Sequence, residues 1–74
     1  MSKREKFVRL ATGRVNKAIK EIQLIGNLSN RTYYEYSNAD IEKIFGELRE
    51  QLRISREKFN TAEKKNRKQR FTLD

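Results

Sequence analysis

Four cations, Lys6, Arg9, Lys17 and Lys20, recur at helical spacing with almost no acids among them. Side chains of that type on one helical face suit phosphate groups. They give an affinity that depends on salt and is largely indifferent to base sequence. They belong to a larger basic set. Residues 1–20 hold seven bases (Lys3, Arg4, Lys6, Arg9, Arg14, Lys17 and Lys20) against one acid, Glu5. Residues 53–70 hold eight (Arg53, Arg56, Lys58, Lys64, Lys65, Arg67, Lys68 and Arg70) against Glu57 and Glu63. The stretch between, 21–52, carries three bases and six acids. The formal net charge of +8 is therefore made at the two ends of the chain.

Other chemistry has little to work with. Histidine and cysteine are both absent, which removes the commonest general base, thiolate nucleophiles, disulfides and the usual zinc ligands. The remaining carboxylates, lysines and tyrosines include no pair placed where burial would tune a pKa. The sequence is read as non-enzymatic, with no cofactor and no metal. It contains no zinc-finger spacing, RNP motif, GxxG loop or short-helix pattern of a helix-turn-helix, so the expected readout is of backbone or shape. DNA and structured RNA fit equally. No apolar run reaches the roughly 18 residues of a membrane span, and charges interrupt the N-terminal stretch where a signal peptide would be apolar. The expected location is the cytoplasm, without membrane contact.

The elements that carry these residues are helical. Val8, Ala11, Val15, Ala18, Ile22 and Ile25 alternate spacings of three and four, and Ile41, Phe45, Leu48, Leu52, Phe59 and Ala62 repeat the pattern with Ser55 in one apolar slot. No proline interrupts either run. Helices over about 4–26 and about 38–66, a connector over about 27–37 and a basic tail over about 67–74 make a single all-α domain spanning the whole chain. The simplest architecture is an antiparallel helical hairpin, which would bring the two basic segments to one pole. Gly13 lies inside the first helix, either as a tolerated weak spot or as a place where a phosphate backbone comes close.

A chain of 74 residues is short of core. Leu10, Leu24 and Leu28 lie roughly 110–150° from the first apolar stripe, and Ile54 is similarly displaced on the second. The expectation is a homodimer, two hairpins forming a four-helix bundle. The rival reading is a protein-interaction module, an adaptor, inhibitor or regulatory subunit that docks on a larger partner through Leu10, Leu24, Leu28, Ile54 and the connector tyrosines Tyr33 and Tyr34.

In the connector, "SNRTYYEYSN", Ser37 is a candidate N-cap with Asp40 three residues on, one methylene shorter than the Glu a capping box prefers. That places Tyr36 and Ile41 at the two positions of a hydrophobic staple. Of the adjacent Tyr33 and Tyr34, at most one can fold back over Leu28, which leaves the other for an exposed contact.

Overall fold

The computed structural model describes residues 2–68, and their side chains as far as Lys65. Among these residues the regular structure is helical, with no strand. Two α-helices, α1 (Lys3–Gly26) and α2 (Asn38–Lys68), are separated by a 3₁₀ turn (Asn27–Ser29) and a short non-helical stretch. The chain divides after Glu35 into two units, one holding α1 and the other α2.

In the first unit, α1 starts one residue earlier than the apolar spacing marks. Ser2 holds an extended backbone conformation, and its hydroxyl accepts from the Glu5 N–H at 3.0 Å. Its carbonyl takes the Lys6 N–H at 3.0 Å. Two of the N–H groups left over at the helix start are thereby satisfied or passed into the ladder. Lys3, Arg4 and Lys6 sit in this first turn against the positive end of the helix dipole, with Glu5 the one acid there.

The end of α1 tightens without reversing hand. Asn27 is right-handed (φ −66°, ψ −17°), and no described residue has a positive φ. Gly26 and Asn27 thus end the helix by passing into the 3₁₀ turn, with no left-handed glycine cap. Asn30 closes the turn. Its side-chain oxygen accepts from the Thr32 N–H at 3.0 Å, and its carbonyl from the Tyr33 and Tyr34 N–H groups at 3.2 and 3.0 Å. Asparagine suits this place because its short amide can imitate a backbone turn.

In the second unit, α2 is entered through a reciprocal capping box. The Ser37 N–H donates to Asp40 Oδ2 at 2.9 Å, and the Asp40 N–H donates to Ser37 Oγ at 3.2 Å. Aspartate, though short, reaches. Tyr36 and Ile41, the two staple positions, are both half-buried.

No described side chain is buried. On α1, Val8 is 45% exposed and Val15 55%; on α2, Phe45 is 39% exposed and Leu52 66%. Each unit is a solvated amphipathic helix whose apolar stripe still faces water along much of its length. Most helical stability in proteins comes from covering such a face.

Candidate nucleic-acid interface

The helical path of α1 sorts its bases. At about 100° per residue, Lys6, Arg9, Lys17 and Lys20 fall within roughly 40° of one line along the helix, opposite the apolar stripe. All four are exposed. None makes an ion pair with another described residue. Glu5 and Glu21, the two acids of α1, flank this face and do not interrupt it.

The remaining α1 cations stand apart from that line. Lys3 and Arg14 lie on its shoulder, roughly 80–100° round the helix. Arg4 lies on the apolar side, with its guanidinium 5.9 Å from the centre of the Phe7 ring. That is cation–π range, so Arg4 also covers part of an exposed ring. The seven candidates in residues 1–20 thus resolve into a face of four, two neighbours and one residue turned elsewhere.

On α2 the basic residues divide between two sides of the helix. Arg56, Lys58, Lys64 and Lys65 are all exposed; Lys58 and Lys65 fall within about 20° of one line, and Arg56 and Lys64 lie about 80° apart on another side. Acids interleave with them. Arg53 binds Glu50 in a fork, Nε to Oε2 at 3.0 Å and a terminal nitrogen to Oε1 at 2.7 Å. This contact holds the Glu50 carboxyl below its ordinary range and raises the Arg53 guanidinium. Gln51 donates to Glu47 at 3.1 Å and Asn60 to Glu57 at 3.4 Å. Arg67 and Lys68 are in the helix, but their side chains lie outside the described ones, and Arg70 lies outside the described residues altogether.

The contact candidates divide too. Tyr33 is 78% exposed and Tyr34 49%, so Tyr33 is the tyrosine presented outward. Leu24 and Leu28 are about half exposed, at 51% and 48%, and Leu10 is half-buried. Ile54 is 36% exposed. Among the described residues no group of three or more carboxylates is arranged to hold a metal ion, and no helix is long and apolar enough to cross a membrane.

The role of Ser2 was not anticipated from the spacing of apolar residues, yet the chain carries its signal. "SKRE" at 2–5 has the form of a capping box, and Ser2 fixes the start of the helix that bears the basic face. No protein-family model matches this chain, and neither a curated protein nor a solved structure shows significant similarity to it.

Proposed function

We propose that this chain is a small, non-enzymatic nucleic-acid-binding protein that grips the phosphate backbone of DNA or structured RNA. One observation carries the reading: Lys6, Arg9, Lys17 and Lys20 form an exposed face free of acids and of ion pairs with other described residues. Like charges gathered on one face oppose folding, and a polyanion would relieve that cost. The bases near the end of α2 form a second, less ordered set of phosphate contacts.

Fluorescence anisotropy with generic 20-base-pair duplexes of DNA and RNA, at two salt concentrations, tests the reading. The expected result is binding at low salt that weakens steeply as salt rises. No binding of either duplex at low salt would remove it.

A second reading draws on the half-exposed apolar stripes. Side chains such as Val15, Ile22, Phe45 and Leu52 are exposed here by 39–66%, and a partner that covers them would gain roughly 25 cal/mol for each Å² removed from water. A second copy of this chain is the proposed cover, giving a four-helix dimer. A larger protein partner docking through Leu10, Leu24, Leu28, Tyr33, Tyr34 and Ile54 is the alternative. Light scattering at tens of micromolar separates them: a dimer mass supports the bundle, and a monomer mass leaves the stripes to another protein.

A further inference from the structure

Gly13 sits at the centre of the basic face. Arg9 and Lys17 are four residues before and after it, and Lys6 and Lys20 seven before and after. Those offsets put two cations on each side of the glycine, roughly 6 and 10 Å along the axis, all within about 40° of its direction.

The usual reasons for a glycine are missing here. Gly13 has no positive φ, and a Cβ built on it would meet nothing within 4 Å. No conformation demands it, and no described neighbour needs its space. Inside a helix it costs stability relative to alanine. It also lies opposite the apolar stripe, so covering that stripe would not use it.

What the glycine does provide is a recess. The α-carbons of a helix lie on a cylinder of radius about 2.3 Å, whereas side chains extend the radius to about 5–6 Å, so an incoming group comes roughly 3 Å nearer the axis over a bare glycine. The backbone N–H groups at this point are committed to the helix ladder and offer no free donor. Attraction must come from the cation arms on either side.

We infer that Gly13 is the seat of a phosphodiester strand, which crosses α1 in the glycine recess and is held from both sides by Arg9 and Lys17, then by Lys6 and Lys20. This rests on the nucleic-acid reading above and adds to it a defined crossing point. It makes Gly13 a positioning residue. A side chain there would lift the strand off the helix and lengthen several cation–phosphate contacts together.

Gly13→Leu tests the seat directly, with Gly13→Ala as the smaller step and Gly46→Leu as the control. Gly46 is an α2 glycine with acids and bases mixed around it, and a Cβ there would approach only an Arg49 side-chain nitrogen, at 4.0 Å. The full chain is titrated by anisotropy against fluorescent DNA and RNA duplexes, the two arms showing which polymer supplies the strand. One lost phosphate contact lowers the salt slope by about 0.9, which at 0.1 M salt is about eightfold in affinity. Gly13→Leu is expected to weaken binding by about tenfold and to lower the slope by about 1, with Gly13→Ala changed less in the same direction and Gly46→Leu unchanged. Helix content by circular dichroism should hold or rise in both Gly13 variants, because leucine and alanine are better helix formers. If Gly13→Leu binds with the wild-type affinity and slope, or if Gly46→Leu loses as much, the seat is overturned while the nucleic-acid reading stands. If the wild type binds neither duplex at low salt, the reading beneath it falls as well.

Discussion

The two helices handle charge in opposite ways. On α2, acids and bases are interleaved: Glu50 pairs with Arg53, while the Glu47 and Glu57 carboxylates accept from the neutral amides of Gln51 and Asn60. On α1 the bases Lys6, Arg9, Lys17 and Lys20 line one face with no ion pair to another described residue. Exposed pairs like that between Glu50 and Arg53 add little to stability. Their effect is to cancel charge locally, and α2 therefore projects a weaker field over its first half. The uncancelled face of α1 is where an anion would be drawn first.

The largest expected effect breaks this contrast outright. Replacing Lys6, Arg9, Lys17 and Lys20 together by glutamine removes up to four phosphate contacts, which at 0.1 M salt is about three orders of magnitude or more in affinity, with a slope smaller by about 3.6. Replacing Arg56, Lys64 and Lys65, which have Glu57 and Glu63 interleaved with them, should cost only about tenfold, the equivalent of one contact. Equal losses from the two sets, measured by anisotropy, would show that total charge and not its arrangement governs binding.

Next in size is the cover of the apolar stripes. Leu52→Asp sets a carboxylate into the α2 stripe. In the proposed bundle this buries an unpaired charge, which the assembly cannot accommodate without losing its partner. Light scattering should then read about twice the 8.9 kDa chain mass for the wild type and the chain mass for the variant. An unchanged dimer would show that Leu52 lies outside the seam.

The heptad spacing, the connector and the Ser37 cap were legible in the sequence because each depends on residues a few positions apart. Asp40 lies in the one place from which a carboxylate can return to the Ser37 N–H. What was not legible depends on rotamers and on surroundings. The sequence groups Arg4 with its basic neighbours, but only the side-chain path shows it over Phe7. It leaves Tyr33 and Tyr34 equivalent, whereas in the structure Tyr33 is the more exposed of the two, at 78% against 49%. The grouping of four cations was legible from period alone, and their symmetry about Gly13 follows from the same period once the helix is known to run through that glycine unbroken.

The helix starts sharpen the comparison at about 1 kcal/mol. Ser37→Ala removes one half of a reciprocal box and should cost about 1 kcal/mol in urea or thermal unfolding. Ser2→Ala removes an acceptor for one N–H only and should cost about 0.5 kcal/mol. Gly13→Ala should stabilise α1 by up to about 1 kcal/mol, since nothing occupies the space its methyl needs. Stabilisation together with weaker nucleic-acid binding would mean that the glycine is kept for the ligand. Stabilisation with unchanged binding would make it a weak spot and nothing more.

The smallest effect concerns pH and should appear on α2. Hydrogen bonds from the Ser37 backbone and hydroxyl, in that order, hold the Asp40 carboxyl below its ordinary 3.8. A carboxyl whose pKa is lower in the folded state binds protons more readily when unfolded. Its contribution to stability is therefore complete above the ordinary value and is lost as pH falls through the depressed folded one. Glu50, lowered by Arg53, acts in the same direction from its ordinary 4.5. Both side chains are exposed, so screening by solvent keeps the effect small. Melting of the wild type from neutral pH down through the carboxylate range should show a slight loss that flattens in Asp40→Asn.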